Sequence, residues 1–198
     1  MMVRTSLILA STSPRRKEML ERAGFSFDVI APPEDDNSLL AALSPPELVA
    51  AQALAKGEAV AAENPHRIVL AADTVVALYG RVLGKPAHPE EAVAMLADLS
   101  GRVHEVLSGF CLLRGREVLH QETARTRVEF RRLAPGEAET YTATGSPLDK
   151  AGAYGIQDLG GGLVKSIEGS YTNVVGLPLA EVMEALAREG IGPAGGLL

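Results

Sequence analysis

A carboxylate inside an apolar stretch is the first residue of this sequence that could do chemistry. Asp73 interrupts the run Ile68–Leu78, in which Thr74 is the only other polar residue. Burying an unpaired charge costs several kcal/mol, so a chain keeps one there when a metal, a cation or a reaction compensates for it. Asp73 is therefore a candidate metal ligand or a base that activates water. A structural carboxylate that caps a turn or pairs with a buried arginine is the alternative.

Cations gather near the N-terminus, where a helix should disfavour them. Arg15, Arg16 and Lys17 stand at the start of a predicted helix, whose unpaired N–H groups carry a partial positive charge. The arrangement is expected if an anion binds there, because a strand, the hydroxyl-rich turn 11–13 and a helix N-terminus together form a phosphate cradle. In the alternative, Ser13 caps the helix and the arginines point into solvent.

Lysines and an amide further along the chain could also face a ligand. Lys85 lies between a glycine and a proline, and Lys150 precedes a glycine-rich turn, so rigid backbone fixes the direction of each of these two side chains. Lys56 lies on a long predicted helix. Taken singly, each of these lysines is most often a solvated surface residue. Gln157 offers an amide that can donate and accept hydrogen bonds, or that bonds to its own loop. The acidic turn 34–36 could supply oxygen ligands to a hard metal or could be a solvated loop.

Composition and missing motifs exclude other functions. The net charge of −6 argues against a general nucleic-acid binder, and the sequence has neither a Walker-type phosphate loop nor a nucleophile elbow. His104 and the single cysteine, Cys111, are expected to be structural. No apolar run reaches the roughly 18 residues that a membrane span needs, and no secretory signal precedes the first strand. We therefore expect a cytoplasmic protein with no membrane partner.

Strands and helices alternate along the chain and must position these residues. The patterns predict strands at 6–10, 27–30, 67–77, 82–83, 104–113 and 117–130, and helices at 14–23, 44–63, 89–99, 135–144 and 179–189. Residues 145–163 are expected to be a glycine-rich loop region, and the tail from Gly190 to be frayed. The alternation predicts an α/β or α+β fold around a mixed sheet, with residues 1–198 forming one domain.

Six segments, taken in order, resemble the Maf family of nucleoside triphosphate pyrophosphatases, once described as septum-formation inhibitors. They are Leu9–Arg16, Ala71–Val76, Gly84–Pro86, Leu99–His104, Asp149–Gln157 and Ile167–Pro178. The resemblance runs over nearly the whole chain. It implies an α/β fold with two lobes around an elongated mixed β-sheet flanked by helices. It also implies hydrolysis of a nucleoside triphosphate to the monophosphate and pyrophosphate with a divalent metal, Mg²⁺ or Mn²⁺, in a fold that is often a homodimer.

The resemblance also assigns roles by position. Asp73 is the catalytic carboxylate and a metal ligand, with Asp36 as a second metal contributor. The resemblance assigns Ser11, Arg15, Lys56 and Lys85 to the groove that binds the phosphates. We expect Lys150 to bind substrate as well, because the neighbouring glycine-rich turn fixes its direction. Arg16, Thr74 and Gln157 resemble the branch that acts on dTTP and UTP, as opposed to the branch that prefers methylated guanine nucleotides. Canonical and modified pyrimidine substrates both remain open, as does a role in removing non-canonical nucleotides or arresting cell division.

Two features depart from the family pattern. Where the family often has an arginine and a leucine before the helix lysine, this chain has Ala51 and Gln52. The acidic turn of the family commonly ends in Asp-Glu, whereas here it ends in Asp35 and Asp36. The main alternative function is a non-catalytic nucleotide-binding regulator of septum formation that acts through a partner protein. A nucleic-acid-binding protein is disfavoured, because the sequence lacks a basic surface interleaved with aromatic residues.

Overall fold

The computed structural model describes residues 6–33 and 43–194, which form a mixed β-sheet flanked by helices. The strands are β1 (Leu7–Ala10), β2 (Asp28–Ile30), β3 (Ile68–Leu78), β4 (Arg81–Leu83), β5 (Val103–Arg114), β6 (Glu117–Phe130) and β7 (Val164–Glu168). The helices are α1 (Pro14–Arg22), α2 (Pro45–Glu63), α3 (Pro89–Leu99), α4 (Glu137–Thr142), α5 (Tyr171–Val175) and α6 (Leu179–Arg188). The predicted α/β class with a mixed sheet is confirmed.

The sheet combines parallel and antiparallel pairs. Its strand order is β2-β1-β3-β5-β6-β7, with β4 paired to β3. β1 runs parallel to both β2 and β3, whereas β3 with β4 and β6 with β7 are antiparallel. Because β1 and β3 are parallel and in register from Leu7 and Ile68 onward, the turn after β1 and the second half of β3 lie at the same end of their pairing. That end carries Ser11 and Asp73.

Helix starts follow the capping signals in the sequence. The Ser13 hydroxyl accepts a hydrogen bond from the Arg16 N–H at 3.4 Å, and Pro14 occupies the first helical position of α1. At α2, the Glu47 carboxylate accepts from the Ser44 N–H at 2.9 Å, as in a capping box. These interactions satisfy donors that have no partner inside the helix.

The C-terminal part differs from the prediction in several places. The predicted loop region contains three 3₁₀ segments, at Ser146–Asp149, Ala151–Ala153 and Leu159–Leu163. Helix α4 is shorter than predicted, and β7 and α5 had no predicted counterpart. The predicted fraying of the tail is wrong for residues 190–194, because the Ala194 N–H donates to the Gly24 carbonyl at 2.8 Å and holds this part of the tail in place.

The chain divides into two compact units. The first comprises Met1–Asp73, Ser108–Ala124 and Gly176–Leu198, and the second comprises Thr74–Leu107 and Arg125–Val175. In the first unit, alternate residues of β1 and β3 enter different clusters: Leu9 and Leu70 pack with residues of α6, whereas Ile8 and Val69 pack with residues of α2. A single apolar cluster fills the second unit and includes the buried face of α3.

The described part of the chain contains no helix long and apolar enough to cross a membrane.

Candidate active site

Helix α2 lies unusually close to the sheet in the first unit. A Cβ at Gly57 would lie 3.0 Å from the Cys111 sulfur, and one at Gly109 on β5 would overlap the Val49 carbonyl oxygen. Only glycine allows these approaches, since it has no Cβ. The close packing places Lys56, the residue before Gly57, beside Asp73 in the middle of strand β3.

Lys56 and Asp73 form the central ion pair of the site. The Lys56 ammonium donates to Asp73 Oδ1, and the two side chains are 20% and 15% exposed, respectively. Each charge offsets the desolvation of the other, which explains how the apolar strand carries a carboxylate. The compensating charge is therefore a lysine 17 residues earlier in the chain.

The turn after β1 and the first turn of α1 hold three of the predicted site residues. Ser11 is buried, and its hydroxyl oxygen accepts from the Ser13 N–H at 3.1 Å and from an Arg16 NH group at 3.3 Å. Arg16 also donates through Nε to the Gly176 carbonyl at 2.8 Å. Arg16 is thus bound to the scaffold on two sides, so the alternative in which it points freely into solvent is wrong.

Electrostatic interactions join these residues to the carboxylate. Burial lowers the pKa of Arg16 most strongly; the negative charge of Asp73 raises it, and the positive charge of Arg15 lowers it further. An arginine remains protonated despite such a shift. Within the first unit the structure therefore brings together Ser11, Arg15, Arg16, Lys56 and Asp73.

The second unit contains the other predicted residues and ties their segments together. The Gly152 N–H donates to the Gly84 carbonyl at 3.0 Å, which links the turn bearing Lys85 to the loop that leads to Gln157. Gly152 has a φ of +67°, and a Cβ there would lie 2.9 Å from the methyl groups of Val76 on β3, two residues beyond Thr74. Lys85 and Gln157 are exposed, and Thr74 is half-buried.

Lys150 is buried and links residues of its own loop through hydrogen bonds. It is 9% exposed, and its ammonium donates to the Ser146 carbonyl at 2.6 Å and to the Asp149 carboxylate at 2.7 Å. The Asp158 carboxylate lies 3.5 Å away. The alternative of a solvated surface lysine is wrong for this residue, and its predicted contact with substrate stays a prediction.

Sequence reasoning missed the residues that shape the site indirectly. Gly57 and Gly109 permit the close approach of α2, and the Gly176 carbonyl orients Arg16. A glycine inside an apolar strand, as at position 109, often marks a close backbone approach, so that signal was present. Nothing in the sequence indicated that Tyr154 would hydrogen-bond to His104.

Metal ligation rests on few acidic residues. Asp36 lies outside the described residues, as do the other acidic residues of its turn. Within residues 6–33 and 43–194, no group of three or more His, Cys, Asp or Glu side chains could hold a metal ion. Among the site residues of the first unit that the structure describes, Asp73 is the one carboxylate. Mg²⁺ commonly uses one or two carboxylates together with substrate phosphates and water, so a single carboxylate fits such an ion bound with a nucleotide.

Comparisons with known proteins place the chain in a family. A family model described as "Maf-like protein" matches residues 6–189. The dTTP/UTP pyrophosphatase of Moorella thermoacetica is 53% identical over 191 residues, covering 94% of this chain and 96% of that protein. The dTTP/UTP pyrophosphatase of Symbiobacterium thermophilum is 50% identical over 186 residues, covering 93% and 94%. Among solved structures, a nucleoside-triphosphatase (dITP/XTP pyrophosphatase) of Mycobacterium abscessus aligns over 93% of both chains with 14% identity and a TM-score of 0.42.

Proposed function

The chain belongs to the Maf-like protein family, and we propose that it hydrolyses dTTP and UTP to the nucleoside monophosphate and pyrophosphate. It is a nucleoside triphosphate pyrophosphatase. The Lys56–Asp73 pair, set beside the arginines of α1, is the observation that carries the proposal. It combines a carboxylate that can accept a proton with cations that can bind phosphate oxygens.

Charge accounts for the abundance of cations. A bound triphosphate carries about −4, and attack on phosphorus spreads charge over the equatorial and leaving oxygens, so catalysis is mostly positioning and electrostatic stabilisation. Arg15, Lys56 and Lys85 bind these oxygens, together with the Ser11 hydroxyl. When the Lys56 ammonium donates to a phosphate oxygen in place of Asp73, the Asp73 carboxylate becomes free to orient or deprotonate the attacking water. Lys150 remains a further candidate for phosphate binding.

A divalent cation, Mg²⁺ or Mn²⁺, is part of the proposal. Asp73 would hold it together with phosphate oxygens, and Asp36 is a second candidate ligand. When bound, such an ion neutralises phosphate charge and lowers the pKa of a coordinated water. Asp73 keeps its own contribution, which is to position the water and receive its proton.

Recognition of the base is assigned to three residues. Gln157 and Arg16 can donate hydrogen bonds to a base edge, and Thr74 lies directly after the catalytic carboxylate. A polar site that is left unpaired by the wrong base rejects that base strongly. Pyrimidine triphosphates are thus the preferred substrates, and modified pyrimidine nucleotides are included in the same proposal.

The remaining properties follow from this assignment. Residues 1–198 act as one Maf-like pyrophosphatase domain, which is supported by the family match over residues 6–189. The enzyme acts on free nucleotides in the cytoplasm, without nucleic-acid or membrane partners. A homodimer is the assembly to test for by light scattering.

A substrate panel tests the proposed function. Purified protein with Mg²⁺ or Mn²⁺ should release pyrophosphate from dTTP and UTP faster than from CTP, ATP or GTP. The panel should include modified pyrimidine triphosphates such as pseudouridine triphosphate. Binding of nucleotide without any release of pyrophosphate would reject the enzyme and favour the non-catalytic regulator.

A further inference from the structure

His104 forms a buried polar contact that the proposed reaction does not use. It lies on β5 within one of the six family-like segments, although the sequence marked it only as structural. The side chain is 1% exposed, and its Nε2 is 2.8 Å from the Tyr154 hydroxyl. Its Nδ1 has no hydrogen-bond partner among the described residues. The contact with Tyr154 is therefore the one polar interaction the imidazole makes there.

Aromatic packing fixes both rings. His104 lies edge-on to Phe130 and to Tyr154, with ring centroids 5.0 and 5.4 Å apart. Phe130 and Tyr154 also meet edge to face at 4.8 Å. Burial lowers the pKa of His104 to about 4 and raises that of Tyr154, so both groups are neutral near pH 7. A neutral hydrogen bond inside an aromatic cluster gives Tyr154 a single position.

Tyr154, bonded to His104, is the second of four anchors along the segment that carries Gln157. Before it, the Gly152 N–H is bonded to the Gly84 carbonyl. After it, the Gly155 N–H donates to the Tyr141 hydroxyl at 3.3 Å. Beyond Gln157, the Asp158 carboxylate accepts from the Ser146 hydroxyl at 3.1 Å. The exposed Gln157 side chain is thus carried by backbone that is fixed on both sides.

Fixed backbone matters for an amide that selects a base. Uracil presents an acceptor at O4 beside a donor at N3, whereas cytosine presents a donor at N4 beside an acceptor at N3. A glutamine amide offers one acceptor and one donor, and it matches either base if it can turn over. An amide favours uracil over cytosine only when it meets the base in one orientation, and a fixed backbone limits the side-chain torsions with which the Gln157 amide can reach the base.

We propose that the His104–Tyr154 hydrogen bond sets the preference for uracil over cytosine nucleotides by holding the backbone that carries Gln157. This inference rests on the proposed function, since it requires that the enzyme hydrolyse pyrimidine triphosphates. Tyr154 and His104 are positioning residues, which act through Gln157 and touch no substrate.

Tyr154→Phe tests the proposal most cleanly, because it removes the hydroxyl and keeps the ring that packs against Phe130. We expect the KM for UTP to rise about threefold to tenfold, the range that loss of one hydrogen bond implies. The kcat for UTP should change less than twofold, and kcat/KM for CTP should stay constant or rise. Tyr79→Phe is the matched control, because Tyr79 is 83% exposed, and it should leave all these values unchanged.

Substitution of His104 tests the same hydrogen bond from its other end. His104→Leu should lower the ratio of kcat/KM for UTP to that for CTP, as Tyr154→Phe does. His104→Gln should restore the ratio, because the end of the glutamine side chain reaches the position of Nε2. A variant that only loses stability lowers the active fraction for both nucleotides and leaves KM and the ratio unchanged.

An unchanged ratio in Tyr154→Phe and His104→Leu would overturn the proposal. Failure of wild type to hydrolyse UTP would instead reject the proposed function, so the two failures are distinguishable.

Discussion

Replacement of His104 by glutamine should flatten the dependence of stability on pH. The imidazole is buried in the second unit, and desolvation lowers its pKa from the ordinary 6.5 to about 4. As the pH falls below 6.5, the unfolded chain takes up a proton at this histidine before the folded protein does. The free energy of unfolding is therefore highest above pH 6.5 and falls as the pH approaches 4.

The magnitude follows from the two pKa values. With 6.5 in the unfolded chain and about 4 in the folded protein, His104 alone lowers the free energy of unfolding by about 2 kcal/mol between pH 8 and pH 5. For a chain of this size, 1 kcal/mol shifts Tm by about 2–4 °C, so the expected difference is about 4–8 °C. Because the glutamine does not titrate, its own effect on stability is the same at both pH values.

Thermal unfolding at pH 8 and pH 5 measures this effect. We expect Tm of wild type to fall about 4–8 °C further than Tm of His104→Gln over this interval. His66→Gln, which changes an exposed histidine, should behave like wild type. Equal drops in wild type and His104→Gln would refute the argument that His104 is buried in its neutral form.

Two further substitutions test the packing and the loop tie. Gly109→Ala should lower the free energy of unfolding by about 1–3 kcal/mol in urea titrations, because the new methyl group would overlap the Val49 carbonyl. Gly192→Ala is the control: the space around Gly192 is open, so the free energy of unfolding should change by less than about 0.5 kcal/mol. Lys150→Met should lower Tm, because it leaves the Asp149 carboxylate and the Ser146 carbonyl without the ammonium that donates to them. Lys85→Met, at an exposed position, should lower kcat/KM for UTP and leave Tm unchanged. Equal Tm values for the two lysine variants would contradict the distinction.

Local chemistry made much of the fold predictable. Proline after a serine marked the starts of α1 and α2. A run too apolar for a surface strand, and short enough for a central one, marked β3. These signals act over a few residues, so they can be found in one sequence. Asp73 was identifiable for the same reason, since a carboxylate among apolar neighbours has to be compensated.

The partners of these residues were not predictable, because they depend on packing. Lys56 reaches Asp73 only because Gly57 and Gly109 bring α2 close to the sheet. Lys150 was assigned to substrate from its neighbouring turn, but its burial depends on the fold of the three 3₁₀ segments. Glycine-rich backbone has weak local preferences, so tertiary contacts decide its conformation.

The turnover of Asp73→Asn tests the central claim most directly. Asparagine keeps the size of the side chain but can neither accept a proton from water nor form the ion pair with Lys56. With Mg²⁺ and UTP, wild type should release UMP and pyrophosphate in equal amounts, and Asp73→Asn should lose at least about 100-fold in kcat, the lower range for a general base. Asp98→Asn, at an exposed ion pair with Arg81, should retain wild-type activity. Undiminished pyrophosphate release by Asp73→Asn would contradict the account.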